Sequence, residues 1–348
     1  MTERARLMAS IAEIIQDYRA DEIATPTSEH VDKWVSQFAA ATQVPLLREM
    51  DFVLKNTYFN QDGVAGFLGS LVTSQKLAGA SPRKFWKGTN FLNIQQNGES
   101  QQEMLEMFDE KLRAECGIDV DGCGSEDGEF VYLDDVMFSG NRVGNDLELW
   151  ISNSAPAKAV LHVVVIAIHS SGEWLVGNRL NKAAKRAGKS IKIKYWRSIN
   201  VENRKLYKDN SEVLWPAELP EDADLKAYMS LPQRFPFEPR SPGGKLEHNF
   251  FSSEQGRQLL ERELLLAGVK IRAGCANPKD IMRPLGFSPF GLGFGSMIVT
   301  FRNCPNNSPL ALWWGDPEAD PSSPLSKWYP LLPRKTYSAE VRFDAFSF

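Results

Sequence analysis

The spacing of hydrophobic positions changes character twice along this chain. Over residues 1–84 it is helical. Leu7, Ile11, Ile14, Ile15 and Tyr18 recur at intervals that place them on one helix face. Thr25-Pro26-Thr27-Ser28 breaks the pattern and offers a hydroxyl cap for a second helix, whose buried face is Val31, Trp34, Val35 and Phe38. Pro45 opens a third stretch through Leu46, Leu47, Phe52 and Leu54. This N-terminal region reads as a packing layer or a docking module, and nothing in it carries recognisable chemistry.

From residue 85 to 200 strands and helices alternate. Phe91–Gln95 reads as a short strand and Gln96–Ser100 as a turn. Met104, Leu105, Phe108 and Leu112 mark a helical stripe. Phe130–Leu133 is a second strand, followed by a loop and a helix with Val143, Leu147, Trp150 and Ile151 on one face. Val160–Ile168 is a third strand, residues 171–188 a helix, and Ile191–Trp196 a fourth strand. The central strands are continuously apolar, as strands covered on both faces are. The fold class this predicts is α/β, a doubly wound parallel sheet with right-handed crossovers and ligand loops at the C-terminal strand ends.

Residues 201–348 are irregular. Pro216, Pro220, Pro232, Pro236, Pro239 and Pro242 divide them into loops. A helix is predicted around Gln255–Ala267, and Gly291-Leu292-Gly293-Phe294-Gly295 precedes a strand at Met297–Phe301. Those glycines lead into a strand, the wrong context for a dinucleotide fingerprint, and read as a closely packed turn. Arg283 and Asn303–Asn307 are polar elements of a C-terminal α+β extension, serving either its packing or a hood over a site in the core.

Composition narrows the classes. The chain has 348 residues, 43% of them hydrophobic and 24% charged, which suits a globular protein with a sizeable core. Its net charge of −4 excludes a general basic field for nucleic acid. Lys182, Lys185, Arg186, Lys189, Lys192, Lys194 and Arg197 form a local basic cluster, most simply a solvated face. Cys116, Cys123, Cys275 and Cys304 make no metal-type spacing and read as reduced thiols. The most apolar run, Ala159–Ile168, is half of what a membrane span requires. The expectation is a cytoplasmic protein with no membrane partner.

The chemistry concentrates after the second strand. Asp134 and Asp135 close the apolar run Phe130–Leu133, at the position where open α/β sheets bind ligands. Two carboxylates suit ribose hydroxyls, and they can hold Mg²⁺ through water because hard cations take oxygen ligands. Ser139-Gly140-Asn141-Arg142 follows at a helix start, where small residues and backbone N–H groups make a phosphate cradle. Acids and cradle together specify a ribose 5-phosphate. Asn97, Gly98, Glu99, Ser100 and Gln101, after the preceding strand, form a turn into a helix: Gly98 allows close backbone approach and Ser100 and Gln101 can donate from the helix start, or the turn is a plain capped helix. His162 interrupts an apolar strand and reads as a satisfied core histidine; His169 ends the same strand near the crevice. No G-x-S-x-G elbow is present.

Hydrophobics, two acids and a small-residue loop resemble the PRPP motif of type I phosphoribosyltransferases, although that family usually has Gly-Thr where this chain has Asn141-Arg142. The resemblance implies ribose binding by Asp134 and Asp135, 5′-phosphate binding by Ser139, Gly140, Asn141 and Arg142, and a pyrophosphate loop at Asn97–Gln101. More of the chain, including Trp34–Phe38, Phe91–Gln101, Arg283–Phe287, Gly291–Gly295 and Asn303–Asn307, resembles the phosphoribosyltransferase-like PRTase-CE proteins of bacterial conflict systems, found beside defence modules such as retrons. That resemblance implies an effector or regulator in antiphage defence, binding PRPP or a nucleotide-like molecule with Mg²⁺. Its implied partner is a defence protein such as a retron reverse transcriptase with its RNA and DNA. One departure bears on mechanism: the interval 115–129 is acidic, with Asp119, Asp121, Glu126, Asp127 and Glu129, and holds no Lys or Arg after Glu115 to neutralise a leaving pyrophosphate. A nucleobase-salvage transferase and a non-catalytic sensor are the alternative readings.

Overall fold

The computed structural model describes residues 1–96, 100–232, 235–244 and 246–334. They form two compact units, Met1–Asn60 with the residues from Glu202 onward, and Gln61–Val201. In chain order the helices are α1 (Glu3–Ile14), α2 (Ser28–Val35), α3 (Ala40–Thr57), α4 (Gln61–Val72), α5 (Gln75–Ala78), α6 (Pro82–Gly88), α7 (Ser100–Cys116), α8 (Asn141–Asn153), α9 (Ser170–Arg186), α10 (Ala223–Met229), α11 (Glu254–Ala273) and α12 (Leu310–Trp313). The strands are β1 (Tyr58–Phe59), β2 (Asn90–Phe91), β3 (Phe130–Leu133), β4 (Val136–Met137), β5 (Lys158–Val164), β6 (Ala167–His169), β7 (Ser190–Trp196), β8 (Ile199–Val201) and β9 (Val299–Thr300).

The first unit joins the two ends of the chain. Thr27 caps α2, its hydroxyl accepting from the His30 amide at 3.3 Å. Trp34 on α2 is fully buried and donates to the Ala311 carbonyl at 2.9 Å, tying the helix to α12. β1 pairs in parallel with β9. The glycine run before β9 is a packed turn: a Cβ at Gly293 would lie 2.5 Å from the Leu285 carbonyl carbon, and one at Gly295 2.4 Å from the Leu214 oxygen. Arg283 donates to the Gly291 carbonyl at 3.2 Å, so it supports that turn. In the Asn303–Asn307 segment, Asn307 holds the Phe287 carbonyl at 2.9 Å and the Cys304 amide donates to Tyr18 at 3.0 Å.

The second unit is the parallel sheet. Its strand order is β2-β3-β5-β7, continued by β4-β6-β8 along the last three. Every pairing is parallel. Helices cover both faces, as the doubly wound reading requires. Phe130, Tyr132, Leu161 and Val163 pack under α8 and α9 in one buried core. A wholly buried Leu or Val of this kind contributes roughly 1.5–3 kcal/mol. On the other face, Phe91, in register with Val131, meets Phe108 of α7 with ring centroids 5.4 Å apart. All three connections step the same way across the sheet, but α7 passes over the opposite face from α8 and α9. The β2–α7–β3 connection therefore has the opposite hand to the two that follow, a rare arrangement for parallel strands.

Three details differ from the sequence expectation. The first boundary between units falls at 60/61, because α4 packs on α7 and Trp86 of α6 stacks on Phe91. The predicted strand at Phe91–Gln95 stops at Phe91, since the Gln101 side chain captures the Ile94 and Gln95 amides at 2.6 and 2.9 Å. The long strand Val160–Ile168 is two strands. All three central strands are interrupted at one level, after Leu133, Val164 and Trp196, and hydrogen bonds bridge the crease: Asp134 N to Val164 O at 3.0 Å, and Val165 N to Trp196 O at 3.0 Å.

Candidate functional site

The crease is where the two acids sit. Asp134 and Asp135 do not end their strand; they separate β3 from β4, and the chain resumes strand geometry before turning into α8. Both carboxylates are buried, Asp134 completely. Asp134 Oδ1 accepts from the Ser100 hydroxyl at 2.9 Å, the Asp135 amide at 3.0 Å and Arg142 Nη2 at 2.9 Å. Its Oδ2 accepts from the same Nη2 at 2.8 Å. Asp135 Oδ1 accepts from the Val136 amide at 2.7 Å and lies 3.4 Å from Arg142 Nη2. Burial pushes the Asp134 carboxyl up to about 6; the Arg142 guanidinium pulls the other way and the Asp135 charge adds to the rise. The same carboxylates hold the Arg142 guanidinium above its ordinary value.

The turn between β4 and α8 presents backbone amides at a helix start. Gly140 is the N-cap of α8 at φ 71° and has no side chain to cap it, so apart from the Ser139 hydroxyl near the Asn141 amide no side-chain oxygen of the turn covers its first amides. A Cβ at Gly140 would lie 2.3 Å from Val176 Cγ2, so the loop seats directly on α9. Ser139 is exposed, and its hydroxyl accepts from the Asn141 amide at 3.5 Å.

The preceding loop contributes in part. Asn97, Gly98 and Glu99 lie outside the described residues. Ser100 opens α7 and reaches Asp134, joining that helix start to the acids. Gln95 and Gln101 lock the two ends of the loop: the Gln101 side chain takes two amides, and the Gln95 Oε1 takes the Gln101 amide at 2.9 Å. Gln101 Nε2 is buried and finds no partner among the described residues.

Arg142 falls elsewhere than the motif implies. It stands in the Ser139–Arg142 turn, but its guanidinium lies on Asp134 and Asp135. Sequence reasoning also missed Asp146 and Tyr132. Asp146 is buried on α8 and accepts from Tyr132 Oη at 3.1 Å and from the Gln96 amide at 3.3 Å, fixing the loop's first residue. The readable signal was an acid at 146, on the stripe formed by Val143, Leu147 and Trp150. His162 is a core residue with both nitrogens engaged, one by Glu129 and the other by Trp196 Nε1 at 2.8 Å. The acidic interval is met by Arg83 and Lys87 of α6, which donate to the carbonyls of Cys116 and Gly122. Three of the seven residues of the basic cluster near 182–197 are ion-paired: Arg186 with Glu148, Lys194 with Glu129 at 3.7 Å and Arg197 with Glu173 at 3.3 Å.

The expected Mg²⁺ fits this donor set poorly. Mg²⁺ requires near-octahedral oxygen ligation with anionic donors free to face it. Here a guanidinium already spans Asp134 and approaches Asp135. Among the described residues no group of three or more Asp, Glu, His or Cys side chains could hold a metal ion. No described helix is long and apolar enough to cross a membrane.

A family model described as PRTase-CE matches residues 31–334. No curated protein and no solved structure matches the chain.

Proposed function

This chain belongs to the PRTase-CE family and is phosphoribosyltransferase-like, and we propose that it binds a 5-phosphoribosyl compound at the crease of its parallel sheet. The observation that carries this reading is the pairing, within nine residues, of two buried carboxylates with a helix start whose N-cap is a left-handed glycine. Asp134 and Asp135 accept from the ribose hydroxyls. The α8 amides, Ser139 and Asn141 hold the 5′-phosphate. Ser100 and Gln101 border the position of a second phosphate. If a group moves, it moves at ribose C1 through an oxocarbenium-like state, with the leaving anion departing on the side of Ser100 and Gln101.

The family resemblance supports a role in antiphage defence, in the cytoplasm, beside a partner such as a retron reverse transcriptase with its nucleic acid. A binding-only sensor is the second reading. It is favoured by the acidic 117–129 interval, whose nearby basic residues Arg83 and Lys87 are committed to carbonyls. A salvage transferase is disfavoured by that same shortage of free cations.

Calorimetry with PRPP and with ribose 5-phosphate tests binding, and a pyrophosphate-release assay separates transfer from sensing. The double change Asp134→Asn, Asp135→Asn should abolish binding and, in cells challenged with phage beside the native gene neighbours, abolish protection. Survival of both after that change would remove the central claim.

A further inference from the structure

We infer that phosphoribosyl binding at this site is independent of divalent metal, because the Arg142 guanidinium supplies the positive charge between the acids and the anionic ligand. This rests on the reading of the crease as a phosphoribosyl site and concerns how that site is neutralised. Asp134 is wholly buried and, among the described residues, paired with one cationic side chain, Arg142. One nitrogen, Nη2, makes every contact of that pairing, at 2.9 and 2.8 Å to Asp134 and 3.4 Å to Asp135. Nε and Nη1 of Arg142 make no hydrogen bond to the described residues, and its side chain is 43% exposed. The guanidinium thus has one edge on the acids and a second edge open to a ligand. A guanidinium is planar, permanently charged and suited to phosphate on its free edge. A dication entering between Asp134 and Asp135 would meet this charge at contact distance, where like charges repel strongly. Either the arginine leaves or the metal stays out. With Ser100 and the Asp135 amide also filling Oδ1, the acid pair is coordinated as it would be around a bound cation.

The test is calorimetry of the intact chain with ribose 5-phosphate, which lacks the pyrophosphate that itself chelates metal. Titrations are run in EDTA and in millimolar MgCl₂. The wild-type affinity should agree within about twofold between the two buffers. Arg142→Ala should weaken binding in EDTA by about tenfold or more, the loss expected for a charge-assisted contact, and MgCl₂ should restore part of it. Manganese titration followed by electron paramagnetic resonance gives a second readout without ligand: the free Mn²⁺ signal should be unchanged by wild type and depleted by Arg142→Ala. Wild-type binding that requires MgCl₂ would overturn the inference while leaving the site reading intact. Absence of binding in both buffers would overturn both. The wild-type comparison needs no variant to fold.

Discussion

Replacing Asp134 with Asn should stabilise the protein while removing a carboxylate of the proposed ligand site. The wild-type carboxyl titrates near pH 6 because it is fully buried, against about 3.9 in an unfolded chain. A raised acid pKa means that the folded state holds its proton more tightly. Folding is then favoured at low pH, and that contribution is lost as pH rises through 6. Two pKa units correspond to roughly 3 kcal/mol of cost carried by the ionised wild type at pH 8. Asn is isosteric and neutral, and its oxygen keeps the Ser100 and Asp135 donors satisfied. It loses the ion pair with Arg142, but that side chain is 43% exposed and water can solvate it. The expected gain is therefore about 1–3 kcal/mol at pH 8, shrinking to about half at pH 5, where the folded wild type already carries the proton. Urea unfolding of both proteins at the two pH values measures it, with a shared m value to confirm that the denatured states match. A variant less stable than wild type at pH 8, or a difference that does not change with pH, would refute the reasoning.

Further outcomes follow from the same geometry. Removing the guanidinium in Arg142→Ala should raise the Asp134 pKa further above 6, since the opposing positive charge is gone; carboxyl carbon-13 shifts measure it, and an unchanged or lowered midpoint would count against the pairing. Gly140→Ala places a Cβ 2.3 Å from Val176 Cγ2 at a φ of 71°, and should cost about 1–3 kcal/mol in urea unfolding; adding Val176→Ala should return the steric part only, leaving the backbone strain. In the other unit, Arg240→Met strips buried Glu261 of its contacts at 3.0 and 2.9 Å and should destabilise by about 3–5 kcal/mol, measured by the unfolding midpoint; a change below 1 kcal/mol would mean that Arg257 alone neutralises Glu261.

Elements defined by local pattern were legible in the sequence. Phe130–Leu133 is a strand because four apolar residues need burial on both faces, and Val143, Leu147, Trp150 and Ile151 face the core because their spacing permits nothing else. Features that depend on neighbours were not. The crease aligns breaks in three strands at 134–135, 165–166 and 197–198, and Val165-Ile166 is as apolar as the strand around it. Only the cross-strand register exposes it. The helical period of residues 61–72 declares a buried face but not the partner that buries it, and that partner is α7.

The acid pair was readable from its setting, and so was the one departure from the motif that governs its electrostatics. Arg142 follows Asp134 by eight residues, which places it in the first turn of the helix that the β4 turn aims back at the acids. Negative and positive charge thus come from a single strand–turn–helix segment. A site assembled that locally needs no remote residue to neutralise Asp134. The buried carboxylate is held by a cation, the segment provides one, and the backbone turn proposed to cradle phosphate is the same turn that delivers it. The cradle and the counter-charge are therefore one structural device. A change that alters the Gly140 turn should disturb both phosphate binding and the titration of Asp134, whereas removing the Arg142 side chain alone should leave the cradle amides in place.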